Sequence, residues 1–404
     1  MKKGWTTKRL EEVCEIARGG SPRPIEKFLT TAPDGINWVK IGDATASDKY
    51  IYKTEEKITA DGVKRSRMVH AGDFLLSNSM SFGRPYIMKT SGCIHDGWLV
   101  LRQREKQLEQ DFLYYLLSSD ELFQQFDRLA AGSTVRNLNI GLVKSVEISF
   151  PPLAEQQRIV GVLDEAFAGL ATAQAHAAQN LQNARALFES HLQSVFTHRG
   201  KGWVEKPLSA LCDIKHGFAF KGEFFTSRGH YVLLTPGNFF ESGGYRDRGE
   251  KQKYYSADFP PEYITRRGDM LVAMTEQAAG LLGSPLLVPE DGKFLHNQRL
   301  GLVISKPDVP WLNEFFFHVF NTKAVRDAIH ASASGVKVRH TSPGKIGEVV
   351  VAFPTSVNEQ KQIVTQLDAL AAETQRLTRL YEQKQAALAA LKKSLLHQAF
   401  SGAL

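Results

Sequence analysis

The chain has 404 residues, 43% of them hydrophobic and 10% aromatic, with a formal charge of +7 and a pI of about 9.1. That length needs more than one domain, the apolar content is enough for real cores, and the positive balance is a mild pointer to a polyanionic partner. Membrane spans are excluded because no run of about 18 apolar residues exists; the start MKKGWTTKRLEEV lacks the apolar stretch of a signal peptide, and three scattered cysteines (Cys14, Cys93, Cys212) suit a reduced cytoplasm better than a disulfide framework.

Taken in chain order, the elements occur twice. GWTTKRLEEVCEIARG (4–19) returns without a gap as GWVEKPLSALCDIKHG (202–217). AGDFLLSNS (71–79) returns as RGDMLVAMT (267–275), CIHDGWLVL (93–101) as FLHNQRLGL (294–302), and GSTVRNL (132–138) as GVKVRHT (335–341). The middle of each copy differs more than its ends, so one scaffold is used with two sets of variable loops. Short apolar runs such as DFLLSN, IHDGWLVL, KSVEISF, YVLLT, DMLVAM and GEVVVAF, set between Gly, Pro, Asp and Asn clusters, predict strands. Residues 111–130 and 311–329 carry helical spacing and predict a helix pair near the end of each copy.

Each copy then opens a long helix with nearly the same phrase, FPPLAEQQRIV (150–160) and FPTSVNEQKQIV (353–364). In the second, Ile363, Leu367, Leu370, Thr374, Leu377, Tyr381, Lys384, Leu388, Leu391 and Leu395 alternate steps of four and three, which is a heptad seam. In the first, Ile159, Leu163, Ala166, Leu170, Ala173 and Ala177 keep that register, continued less strictly by Leu181, Ala184, Phe188, Leu192 and Val195. The first helix leads from one domain to the next and the second starts at the later domain, so a mutual pair must run antiparallel. The expected fold is α+β: globular domains at 1–150 and 201–353, joined by helices at 151–200 and 354–404 that form an antiparallel coiled coil.

Catalytic motifs are missing: there is no GxxxxGK[ST], no paired CxxC and no HExxH. Glu290, Asp291 and Lys293 approach a nuclease carboxylate–lysine set but read better as the surface turn PEDG. FPP at 150–152 lacks the Asn or Asp that flanks the Pro-Pro of adenine methyltransferases and reads as a helix entry. His95 and His296 match across the repeat without a second ligand nearby and read as structural. What remains is basic and polar material on loops. Lys64, Arg65 and Arg67 cluster in VKRSRM; Tyr245, Arg246, Arg248, Lys251, Lys253, Tyr254 and Tyr255 interleave cations and aromatics; Arg266 and Arg267 follow. Such sets suit phosphate contacts and stacking, and equally an ordinary solvated surface. Base-reading candidates are Ser77, Asn78, Ser79 and Arg84 after DFLL, and Thr275, Glu276 and Gln277 after DMLVAM. Arg136 and Arg339 match, each four residues after a Gly; Lys337 stands beside the latter. For the matched pair, a phosphate anchor and a shared salt bridge are both open.

The order domain, long helix, domain, long helix, the two helix-opening phrases and the ending KKSLLHQAFSGAL (392–404) resemble the specificity subunit of type I restriction–modification enzymes over essentially the whole chain. The resemblance implies that each globular domain is a target-recognition domain reading one half of a split, asymmetric site on double-stranded DNA. It implies that the helices act as a ruler and dock two methyltransferase subunits, with restriction/translocase subunits as further partners. It also implies a cytoplasmic, non-catalytic subunit with no cofactor of its own, S-adenosylmethionine, ATP and magnesium belonging to the partners.

Overall fold

The computed structural model describes residues 4–47, 49–78, 82–130, 138–276, 280–336 and 338–404. Its chain contacts divide it into two compact units, one formed by residues 1–178 with 382–404 and the other by residues 179–381. Each unit therefore holds a globular domain together with a part of both long helices.

In the first unit a five-stranded sheet has the order Cys14–Arg18, Trp98–Gln103, Phe74–Ser77, Pro85–Met88, Tyr50–Ile51, antiparallel except at its last pair. FLLS is buried along its whole length because both faces of the sheet are covered. The period of two divides its residues. Phe74, Leu76, Ile87, Leu99 and Leu101 face the helices Gln110–Leu117 and Asp120–Ala130 through Phe112, Leu116 and Phe126. Leu75, Tyr86, Met88, Trp98 and Val100 face a second sheet through Val39, Val69 and Ile94.

The second unit repeats this plan. Its sheet runs Cys212–His216, Leu300–Ser305, Met270–Ala273, Pro285–Leu287. Met270, Val272 and Val303 meet Phe315, Phe316, Val319 and Phe320 of the helix Asn313–Asn321, while Leu271, Ala273, Leu286 and Leu300 meet Val232, Leu234 and Phe294. A short antiparallel pair, Thr6–Arg9 with Glu147–Phe150 and Trp203–Pro207 with Val350–Pro354, ties the start of each copy to the strand that feeds its long helix.

The repeated helix-opening phrase has a local physical reason. Gln156 and Gln360 are fully buried. The Gln156 amide donates to the carbonyls of Pro151 at 2.8 Å and Gln107 at 3.0 Å, and its oxygen accepts the Glu109 N–H at 2.8 Å. Gln360 donates to Pro354 at 3.0 Å and Pro310 at 2.7 Å. In both units one side chain thus joins the helix entry to the loop before the helix pair. A second matched contact lies two turns on: Tyr115 donates to Asp164 in one unit, and His318 meets Asp368 at 3.0 Å in the other.

The long helices span Leu153–Thr197 and Val357–Ser401, 45 residues each, or about 67 Å at 1.5 Å per residue. They run antiparallel within each unit. In the first, Ile159 and Leu163 share a core with Ala399 and Phe400, and Arg158 donates to the Leu404 carbonyl at 2.9 Å. In the second, Phe196 packs in the same cluster as Ile363 and Val364. The seam of the first helix is buried or half-buried at every expected position. In the second helix the expectation holds except at Lys384 and Leu391, which are exposed; Leu388 and Leu395 are half-buried as expected, and Gln385, Leu396 and Ala399 also turn inward. A straight helix of 3.6 residues per turn drifts against a strict seven-residue repeat, so the stripe widens forward to Gln385, Leu396 and Ala399 beside the kept row.

Candidate nucleic-acid interface

In the first unit, separate sequence candidates converge on the turn His95–Gly97. Asn78 lies just past the central strand; its side chain donates to the Asp96 carbonyl at 2.8 Å and its N–H to Gly97 at 3.1 Å. Arg18 donates to the same Asp96 carbonyl at 2.8 Å, Arg67 donates to the Arg18 carbonyl, and Arg23 pairs with the Asp96 carboxylate at 3.2 Å. The Ser21 hydroxyl and then Arg23 hold that carboxyl below its ordinary range against the opposing effect of burial. Gly19 is required here, since a Cβ would fall 2.0 Å from the His95 carbonyl oxygen. His95 Nδ1 accepts the Gly97 N–H at 2.9 Å, and burial lowers the pKa of its imidazole. The result is a fixed turn with exposed Arg18, Arg23, Arg65 and Arg67 around it, beside a cleft of about 390 Å³ lined by Ser21, Arg23, Trp38, Lys40 and His95. Such a basic rim on fixed backbone suits phosphate contacts.

The second unit builds the equivalent turn at His296–Arg299. Phe218 N–H donates to the His296 carbonyl and Gln298 N–H to Phe218, both at 2.9 Å, while Met274 N–H donates to Arg299 at 3.0 Å. A Cβ on Gly217 would lie 2.3 Å from Asn297. Burial pulls His296 down to about 4, and its Nε2 lies 2.9 Å from the Leu300 carbonyl. Beyond Met274 the strand Thr275–Glu276 pairs with Arg339–His340, so two segments 63 residues apart in the pairing Glu276↔Arg339 form one edge. Glu276, 2% exposed, organises it: its carboxylate accepts the N–H groups of Gly280 at 3.0 Å and Leu282 at 2.9 Å and lies 3.6 Å from Arg339 and 3.7 Å from His330.

Several expectations change at this point. Ser77 (0% exposed), Asn78 (2%) and Thr275 (8%) are not at loop tips but in the interior, because the strand runs through Ser77 and the next polar side chains turn back to bond neighbouring segments. Their side chains serve the interior and do not reach the surface. Arg339 takes the salt-bridge alternative, held by Glu276 and by the His330 carbonyl. Ser79, Arg136, Gln277 and Lys337 lie outside the described residues.

The other candidates are at the surface. Lys64 pairs with Asp61 at 2.9 Å; Arg65 sits 5.4 Å from the Phe28 ring, Arg84 5.5 Å from Tyr86, Arg246 6.0 Å from Phe240 and Lys253 5.2 Å from Phe225. Arg248 packs over Gly237, where a Cβ would come within 3.0 Å. Arg266 and Arg267 are exposed on a turn whose N–H groups Asp269 and Asp291 accept at 2.8 Å each. Sequence reasoning missed Arg18 and Arg23, whose partners are distant in sequence, and Gln298 and Arg299, which the comparison of CIHDGWLVL with FLHNQRLGL could have found. Cys14, Cys93 and Cys212 are buried free thiols, Cys14 and Cys212 pushed up to about 12 by burial. No group of three His, Cys, Asp or Glu suited to a metal ion exists among the described residues, and no helix among them is long and apolar enough to cross a membrane.

Comparison with known proteins agrees with this duplicated architecture. The model of the type I restriction modification DNA specificity domain matches twice, at residues 2–179 and 200–386. The chain therefore belongs to the type I restriction modification DNA specificity family and carries two of its domains. It is 28% identical over 165 residues to the MjaIX specificity subunit of Methanocaldococcus jannaschii, covering 40% of this chain and 37% of that protein. It is 28% identical over 204 residues to the EcoBI specificity subunit of Escherichia coli, covering 50% of this chain and 39% of that protein. The chain thus spans about two fifths of the length of the curated relatives it matches. Among solved structures, one described for complex assembly and conformational transition of the type I R-M system matches with a TM-score of 0.76 at 19% identity, over 99% of this chain and 98% of that one. The HsdS subunit from Thermoanaerobacter tengcongensis matches with a TM-score of 0.65 at 19% identity, over 100% and 98%. These two likenesses concern the fold.

Proposed function

We propose that this chain is the DNA-recognition subunit of a type I restriction–modification assembly, each unit reading one half of a split target on double-stranded DNA. The observation that carries this reading is the tandem specificity domain whose two copies keep one backbone frame, the Gly19–His95 and Gly217–Asn297 contacts, while the exposed residues on that frame differ. A fixed frame with variable exposed side chains is what reading two different base sequences needs. The long helices set the gap between the half-sites, and their exposed faces dock two methyltransferase subunits, with restriction/translocase subunits as further partners. Chemistry belongs to those partners, which bring S-adenosylmethionine, ATP and magnesium; this chain supplies position.

The test is to co-express the chain with candidate methyltransferase subunits and to sequence the methylated sites. A split target that appears only when the chain is present is expected, with the purified chain alone neither methylating nor cutting DNA. Turnover by the chain alone, or methylation whose sites do not depend on it, refutes the reading.

A further inference from the structure

We infer that the second unit reads its half-site through Gln298 and Arg299, Arg299 contacting a guanine and Gln298 an adjacent adenine. This rests on the DNA-recognition reading above and names the side chains that carry it. The backbone beneath these two residues is fixed from several sides: Gln298 N–H on Phe218 at 2.9 Å, the Arg299 carbonyl accepting Met274 N–H at 3.0 Å, and the Arg299 N–H on the Asn297 carboxamide oxygen at 3.0 Å. His296 and Asn297 are buried, 2% and 7% exposed, so the turn is locked into the domain. Yet the side chains of Gln298 and Arg299 are both exposed, and among the described residues neither has a hydrogen-bond, ion-pair or ring partner. They therefore contribute little to the fold, while the fold holds their backbone rigidly.

The first unit supplies the internal comparison. By the strand register and the matching backbone bonds, the same two positions hold Asp96 and Gly97, and the Asp96 carboxylate is taken up within its own unit by Ser21 at 2.7 Å and Arg23 at 3.2 Å. One frame thus carries an internally paired acid and a glycine in one copy and two long polar side chains in the other. Arginine binds guanine O6 and N7 through a two-pronged contact in the major groove, and glutamine binds adenine N6 and N7 the same way. Their place is also suitable: the Arg299 carbonyl holds Met274, which leads into the Thr275–Glu276 edge and the loop beyond it.

The experiment uses the full chain assembled with its methyltransferase subunits. Methylome sequencing of Arg299→Ala should show one guanine of a single half-site relaxed, with the other half-site unchanged. Replacing that guanine by 7-deazaguanine removes the N7 acceptor and keeps base pairing; parent affinity should fall about 5- to 150-fold, and Arg299→Ala should show no further fall. Gln298→Ala should do the same with 7-deazaadenine at the neighbouring position, and Arg299→Lys should retain part of the preference. Even weakening on all sequences, with no analogue sensitivity, would make Arg299 a phosphate anchor and overturn the inference, as would an unchanged target with full activity. A parent assembly with no sequence preference at all would overturn the DNA-recognition reading itself, and this assignment with it.

Discussion

Replacing Gln156 by Ala should destabilise the first unit more than any other single polar substitution at a helix entry. The side chain is fully buried and makes three hydrogen bonds, to Pro151, Gln107 and Glu109. Each bond contributes about 1 kcal/mol net, and each buried partner left unsatisfied costs about 1–3 kcal/mol, so the loss should be about 3–6 kcal/mol. For a unit of about 200 residues, 1 kcal/mol moves Tm by about 2–4 °C. The expected fall is therefore about 6–24 °C. Gln360→Ala removes only two bonds, and Gln360 Oε1 is already without a partner among the described residues, so the second unit should lose less. Gln156→Glu should be worse than Ala at neutral pH, because an ionised carboxylate would face two carbonyl oxygens with no proton to donate. Calorimetry gives the Tm values, and hydrogen exchange assigns the loss to residues 105–112 and 150–160 in one variant and 308–316 and 353–364 in the other. A Gln156→Ala variant within about 1 °C of the parent would mean that the repeated Gln does not clamp the helix entry.

Leu163 is fully buried where both long helices meet the first domain, so Leu163→Ala should cost about 2–5 kcal/mol in chemical denaturation, confined to the first unit. His296 lies at about 4, below the ordinary 6.5, so the unfolded chain takes up its proton first as the pH falls. Its contribution is complete above pH 6.5 and is lost down to pH 4, about 3 kcal/mol in all, and His296→Gln should flatten that part of the stability profile. Inserting four residues after Ala173 adds roughly 6 Å of helix, or one to two base pairs at about 3.4 Å each; methylome sequencing should show a longer gap with both half-sites unchanged, and an active variant with the parental gap would refute the ruler.

The scaffold was legible because it is written twice in residue types that admit few readings. Gly19 and Gly217, the cysteines of the first strands and the Gln of the helix openings match across the repeat, and in the structure each matched pair does the same work. The heptad seam was legible except at Lys384 and Leu391, where the fixed period missed the drift of a real helix. The interface was less legible, for a reason visible at Asn78. A polar residue just past a strand looks like a loop tip. Whether it faces solvent or turns inward depends on a carbonyl 18 residues away, at Asp96. Arg339 is similar: its cation suggests phosphate, but Glu276, 63 residues earlier, already occupies it. Pairings at such separations leave no periodic trace in one sequence.

The two contacts that fasten each helix pair to its long helix show how the copies were free to diverge. Asp164 and Asp368 occupy the same place, but one accepts from a tyrosine and the other meets a histidine. The acid on the helix is kept and its partner is exchanged, provided a donor remains. At the turns the rule is reversed: the backbone bonds are kept, and the side chains need not conserve any chemistry, since Asp96 and Gly97 stand where Gln298 and Arg299 do. A position whose side chain must only supply a donor to the fold can change slowly among donors. A position whose backbone alone serves the fold can take any side chain that fits, including long polar ones that have no hydrogen-bond or ion-pair partner among the described residues. On the DNA-recognition reading proposed above, selection on a DNA sequence would act on the second kind of position without disturbing the first, and that separation would let one frame serve two half-sites.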